Sequence, residues 1–439
     1  MNGQPRCDWS SERGQPLHGS VRIPGDKSVS HRALMLAALA LGDSRVLGFL
    51  EGEDTRATAA VLSRLGVRID TPAAGERVIH GVGLHGLRGS SHVLDCGNAG
   101  TGMRLLLGLL AGQAFDSHLI GDASLSNRPM RRVIEPLARM GARVDSRDGL
   151  PPLHVHGGQS LHGVAHATAV ASAQVKSALL LAGLYAQGTT QVVEPLPTRD
   201  YTERMLAAFG WPVQFAPGRA SLAGGHVLHA INVAVPADFS SAAFFMVAAS
   251  IVPGSQLRLP AVGLNRRRTG LLDALRLMGA DITLENQHDH QGEPTGDVVV
   301  RHAPLHGIEL PIELVPDMID ELPVLFVAAS VAEGRTVISG AAELRVKESD
   351  RIATMAIGLR ALGASIEETP DGAIIHGGRL GSGEVASHLD HRVAMSFAVA
   401  GLVASGSVRI SDCATVATSF PGFRDIANGC GFNLHEAPG

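Results

Sequence analysis

One pattern recurs six times along this chain, and it limits the possible folds more than any single motif does. Each copy opens with an apolar helix rich in small residues that stops at a glycine. A run with Val, Ile or Leu follows, then a loop with a polar or arginine-rich cluster. An amphipathic helix then stops at a second glycine and leads into another strand. The paired stops are Gly42 and Gly66, Gly112 and Gly141, Gly188 and Gly210, Gly254 and Gly279, Gly334 and Gly363, and Gly406 and Gly431. Glycine where a helix ends predicts a left-handed backbone at each position. A period of roughly 70 residues is too long for a common solenoid unit. Six βαβ-containing units therefore predict an α/β (α+β) protein of two similar domains with three repeats each.

The boundary falls between copies three and four, where Pro236-Ala237-Asp238 is the crossover. The first strand expected, near His18–Ile23, ends at Pro24-Gly25, a second crossover that places this strand in the C-terminal domain. The domains are then 1–25 plus 238–439, and 26–237. Residues 1–15 are expected to be disordered.

Composition removes several classes of function. The 439 residues carry a formal net charge of -5 and 4% aromatics. Such a chain has neither a broad attraction for nucleic acid or anionic membrane nor a stacking surface for single strands. Any anion site must be a local cluster of cations. The four cysteines, Cys7, Cys96, Cys413 and Cys430, form no C-x-x-C pair, so free thiols in a reducing cytosol are expected. The polar start lacks the apolar core of a secretory signal, and stretches such as Ser177–Ala186 are too short to span a bilayer. The expectation is a cytoplasmic monomer.

The loops before the helices carry the chemistry. In Pro24-Gly25-Asp26-Lys27-Ser28-Val29-Ser30-His31-Arg32 a glycine turn opens a helix, whose N-terminus favours an anion. Lys27 adds a point charge and Arg32 a guanidinium fork, while His31 reads as structural. An ordinary N-cap with solvated cations is the plain alternative. Cys96-Gly97-Asn98-Ala99-Gly100-Thr101-Gly102-Met103-Arg104 allows close backbone approach to a ligand, or is merely a tight turn. Ser126-Asn127-Arg128-Pro129-Met130 and Thr198-Arg199-Asp200-Tyr201 place arginines at helix starts, which the dipole disfavours unless they serve an anion. Arg56 and Arg268, their counterparts in copies one and four, read as solvated. Ser172-Ala173-Gln174-Val175-Lys176 offers short polar groups, with Ser172 also a candidate cap. Carboxylates for acid–base work lie in Asp317-Met318-Ile319-Asp320-Glu321 and in Arg345-Val346-Lys347-Glu348-Ser349-Asp350-Arg351, although the second also fits a solvated charged loop. Asp390-His391-Arg392 adds one more arginine. His288-Asp289-His290 lacks ligand spacing, so no metal is expected.

Taken in order, GDKSVSHR, GNAGTGMR, SNRPM, SAQVKSALLLAGL, TRDYTERM, MIDELP, LRVKESDR, DHRVAMSF and ATSFP resemble the 5-enolpyruvylshikimate-3-phosphate (EPSP) synthase family, in the style of its class II bacterial branch. The likeness covers nearly everything after about residue 17. It implies the enolpyruvyl transferase fold, an inside-out α/β barrel of two domains, each of three βαβαββ units, with the active site in the cleft between them. It also implies transfer of the enolpyruvyl group of phosphoenolpyruvate to the 5-hydroxyl of shikimate 3-phosphate, a step towards chorismate and aromatic amino acids. No cofactor is implied, and the partners are the two small substrates.

By that resemblance Lys27, Gly100, Arg128, Gln174, Arg351 and Arg392 hold phosphoenolpyruvate. Lys27, Ser28, Arg32, Ser172, Ala173, Gln174, Arg199, Asp320 and Lys347 hold shikimate 3-phosphate. Asp320 is the candidate base for the hydroxyl, with Glu348 and Lys27 moving protons at the enolpyruvyl carbon and the leaving phosphate. Domain closure on shikimate 3-phosphate is expected. Many relatives have a lysine where Ala417-Thr418-Ser419-Phe420 stands, so no phosphate-binding cation is assigned there. Some glyphosate-insensitive relatives place alanine at the position of Gly100, so glycine implies sensitivity. The sister enzyme acting on a UDP-sugar typically shows G-x-K-N where Gly25-Asp26-Lys27-Ser28 stands, and a reactive cysteine that Ser117–Arg128 lacks. A ring or clamp on nucleic acid would need a broad basic lining.

Overall fold

The computed structural model describes residues 7–290 and 292–437. The chain divides into two compact units, Gly25–Pro236 with His290–Glu293, and the remainder, Met1–Pro24, Ala237–Asp289 and Pro294–Gly439. The chain thus changes unit between Pro24 and Gly25 and between Pro236 and Ala237.

In the unit Gly25–Pro236 three sheets share one strand order. The second repeat illustrates it. Edge strand Leu94–Asp95 runs parallel to Ser117–Ile120, which pairs antiparallel with Leu150–His156, which pairs antiparallel with Arg143–Arg147. The third repeat does the same with Ala165–Ala167, Thr189–Val193, Arg219–Ala223 and Val213–Ala216. In the first repeat the edge strand is Val233–Ala234, from the far end of the unit's sequence, parallel to Leu41–Leu47. The segment His18–Ser20, which precedes the first helix in sequence, pairs parallel with Gln256–Gly263 in the other unit.

Each repeat places one helix inside. Lys27–Leu39, Gly100–Ala111 and Ala173–Gly183 are buried almost throughout, as are Phe239–Ile251, Leu322–Val331 and His391–Gly401 in the other unit. Their sequences are apolar all round because every face meets protein. Small residues let them approach closely. A Cβ on Gly108 would fall 2.0 Å from the carbonyl oxygen of Ala178. Helices such as Glu53–Arg64, with a single buried face, cover the outside.

Two expectations need correction. Trp9–Glu12 is a strand, seated antiparallel between Val408–Ser411 and Asn433–Glu436. In the sixth repeat Trp9–Glu12 holds the position that a late strand of the same repeat fills in the second and third. Trp9 is buried against Phe423 and Ser11 donates to the Ala398 carbonyl at 2.7 Å, so residues 7–15 are not disordered. Four residues are too few for a periodicity signal, which is why the strand escapes sequence reading. Residues 1–6 lie outside the described residues. The helix-stop glycines are also not uniform. Ten have positive φ, but Gly112 sits at φ -90° and Gly406 is not left-handed. There space decides, since a Cβ on Gly112 would lie 2.2 Å from the Tyr185 ring.

All four cysteines are free, and burial pushes the Cys96 thiol up to about 12. Among the described residues no helix is long and apolar enough to cross a membrane.

Candidate functional site

In the unit Gly25–Pro236 the N-terminal turns of the three inner helices come together. Asp26 caps the first, accepting from the Val29 amide at 2.8 Å, and thereby places Lys27 and Ser28 in the opening turn. Lys27 pairs with Asp54. Arg32 crosses to the third repeat, donating to Thr202 Oγ1 at 2.7 Å and Ser177 Oγ at 2.8 Å, and returns to the Ser28 carbonyl at 2.9 Å. All three are neutral acceptors. Burial first, and the neighbouring Arg199 second, push the Arg32 guanidinium down to about 10. A buried guanidinium with a second cation near it favours an arriving anion.

Gln174, in the first turn of Ala173–Gly183, joins the second and third repeats. Its Oε1 accepts from Arg104 at 2.8 Å and its Nε2 donates to Thr101 Oγ1 at 2.9 Å. Ser172 caps that helix, accepting from the Val175 amide at 3.5 Å, which places Ala173 at the first helical position. Arg128 turns back over the glycine-rich loop, donating to Asn98 Oδ1 at 2.7 Å and Ser124 Oγ at 3.0 Å. Gly100 lies beneath both guanidiniums, since a Cβ there would stand 3.0 Å from Arg128 Nη1 and 3.3 Å from Arg104 Nη1. Behind these groups Lys176 is buried between Glu194 and Glu203, 2.8 Å from each, and is structural.

The other unit forms a second cluster at its own inner-helix starts. Asp390 caps His391–Gly401, accepting from the Arg392 amide at 2.9 Å, and also receives Arg351 Nε at 2.8 Å. Arg351 reaches Glu348 at 2.6 Å and Asp320 at 3.4 Å. Lys347 lies 3.5 Å from Asp320, and Arg392 donates to the Asp320 carbonyl at 3.1 Å. Despite its burial, Arg351 is held well above the ordinary arginine range, by Asp390 first, then Glu348 and Asp320. It stays charged and holds both carboxylates in place.

Within its own unit, each sequence-derived candidate falls in one of these clusters. Lys27, Ser28, Arg32, Gly100, Arg128, Ser172, Ala173, Gln174 and Arg199 lie in the first, and Asp320, Lys347, Glu348, Arg351 and Arg392 in the second. The segment 345–351 is no solvated loop, as Arg351 is 1% exposed and Arg345 binds Asp350 at 2.7 Å. Arg268 corrects another expectation. It is buried, 3.1 Å from Glu321 and 3.5 Å from Asp238, and bonded to Ser240. Its place in the run Arg266-Arg267-Arg268 disguised it. Arg56 is largely exposed beside Glu51, as expected. Arg104 and Asp54, to which the sequence assigns no role, join the first cluster through Gln174 and Lys27. Arg104 stands one helical turn after Gly100, a spacing that puts both on one face. Thr418 is buried with its hydroxyl on the Thr415 carbonyl at 2.7 Å. His288 bonds to the Asn286 carbonyl and Thr295 within its hairpin.

Comparison with known proteins follows the same lines. Residues 11–426 match the family model described as EPSP synthase (3-phosphoshikimate 1-carboxyvinyltransferase). A 3-phosphoshikimate 1-carboxyvinyltransferase from Xanthomonas euvesicatoria pv. vesicatoria (strain 85-10) is 66% identical over 430 residues, 98% of each chain. One from Xanthomonas campestris pv. campestris (strain B100) is 66% identical over 431 residues, again 98% of each. A solved EPSP synthase from Acinetobacter baumannii superposes with a TM-score of 0.89 at 50% identity, covering 99% of this chain and 100% of that one.

Proposed function

The chain belongs to the EPSP synthase family, and from that premise we propose how its residues divide the work of moving an enolpyruvyl group from phosphoenolpyruvate to the 5-hydroxyl of shikimate 3-phosphate. Each substrate carries a phosphate and a carboxylate, which guanidinium forks and helix N-termini match. Arg32, Arg199, Ser28, Ser172, Ala173 and Gln174 hold shikimate 3-phosphate, together with Asp320 and Lys347. Lys27, Arg128, Arg351, Arg392 and Gln174 hold phosphoenolpyruvate, with Gly100 leaving room beside Arg128.

Addition comes first. Asp320 accepts the proton of the 5-hydroxyl as that oxygen bonds to C2 of phosphoenolpyruvate, while C3 gains a proton from Glu348 or Lys27. Elimination returns a proton from C3 and breaks the C2–O bond to phosphate, which leaves towards Lys27. Fixed cations stabilise the charge that develops on the phosphate-bearing intermediate. The observation that carries this assignment is the sharing of one buried guanidinium, Arg351, by Glu348 and Asp320 at 2.6 and 3.4 Å. That pairing holds two carboxylates side by side without solvent reorganisation.

The test is phosphate release from phosphoenolpyruvate with and without shikimate 3-phosphate. Release only with the acceptor, together with enolpyruvylated product, is expected. Release with a UDP-sugar acceptor instead would overturn the substrate assignment.

A further inference from the structure

The sheet of the second repeat carries a cluster on its outer face that the transfer reaction does not use. In strand Leu150–His156, Leu153 and Val155 point into the core, so His154 and His156 share the opposite face. His118 stands directly across from His154 on one side, and Asp145 on the other. The rings of His118 and His154 are 4.2 Å apart, and those of His154 and His156 are 4.1 Å apart.

Two carboxylates close the cluster. Asp116 Oδ1 accepts from the Gly157 amide at 2.9 Å, which turns Oδ2 to His154 Nε2 at 3.0 Å. Asp145 Oδ2 lies 2.6 Å from His156 Nε2 and 3.9 Å from His154 Nδ1. One ligand atom from each of Asp116, His154 and His156 lies within 4.8 Å of the others.

We propose that Asp116, His154 and His156 bind one divalent transition-metal ion of the zinc–nickel–copper kind on this face, with Asp145 orienting the imidazoles. Two imidazole nitrogens and a carboxylate oxygen are a common zinc ligand set, with bonds of about 2.0–2.2 Å. Around one ion such ligands stand about 3–4 Å apart, which side-chain rotation on a fixed sheet can reach. A carboxylate beside a ligating histidine fixes the ring and raises its basicity, the place that Asp145 takes. Imidazole favours this class of ion over magnesium or calcium. The signal in the sequence is the His-x-His of the strand, which the histidines near residue 288 overshadowed.

The experiment uses the full chain without a histidine tag, dialysed against chelator and titrated calorimetrically with zinc chloride and with nickel chloride. One ion per chain with micromolar affinity is expected, and no saturable binding of magnesium at this face. The double substitution His154→Ala with His156→Ala should weaken binding at least about tenfold. His80→Ala, on the neighbouring sheet between Asp43 and Asp70, should leave binding unchanged. Both histidine positions are partly exposed, and a thermal melt checks that each variant is folded. Absence of one-to-one binding by the parent, or equal binding by the double variant, overturns the proposal.

Discussion

At the level of single residues, the room around Arg128 and Arg104 depends on one missing methyl group. Gly100 has ordinary helical geometry, so its glycine answers to space and not to strain: an added methyl would press on Arg128 and Arg104 at 3.0 and 3.3 Å. Gly100→Ala should therefore raise KM for phosphoenolpyruvate by about tenfold, the size of one disturbed charged hydrogen bond. It should also raise the glyphosate concentration for half-inhibition, and steady-state kinetics at varied inhibitor measures both. Asp320→Asn removes the proposed base but keeps the shape, so kcat should fall about 100- to 10,000-fold in the phosphate-release assay. His31 supplies a test of pH dependence. Burial first, then Lys27 and Arg32, hold its pKa well below the usual histidine value. The unfolded chain takes up a proton that the folded one refuses, so the stability it confers is whole above about pH 6.5 and declines as pH falls below that. Urea midpoints at about pH 7.5 and about pH 5.5 should show this decline in the parent and a smaller one in His31→Asn.

At the scale of elements, the buried triad of Lys176, Glu194 and Glu203 ties the inner helix Ala173–Gly183 to the helix Tyr201–Ala208. Burial already raises the Glu203 carboxyl above its ordinary range, with Lys176 opposing that shift. Lys176→Met would leave two buried carboxylates without their cation and should cost about 3–5 kcal/mol of stability, read from chemical unfolding. Adding Glu203→Gln should recover part of the loss. The inner helices themselves were legible in sequence, because a segment apolar on every face has no side to offer water. The triad was not, because no local pattern around Lys176 or Glu203 shows that tertiary packing encloses them.

At the scale of the whole molecule, the chain builds six like repeats but does not supply each from its own stretch of sequence. Trp9–Glu12 completes the sheet that also contains Asn433–Glu436. Trp9→Ala should thus destabilise the fold by about 3–5 kcal/mol, measured by denaturant titration, although the N-terminus reads as a loose end. The repeat, the helix stops and the loops that carry lysine and arginine follow from the order of residues alone, because they rest on local backbone preference and on periodic burial. Which strand fills which sheet, the burial of Arg268 among carboxylates and the meeting of Arg104 with Gln174 come from long-range packing. Those contacts join residues far apart in the chain, and the cost or gain of burying a charge depends on what arrives beside it, which no local pattern records.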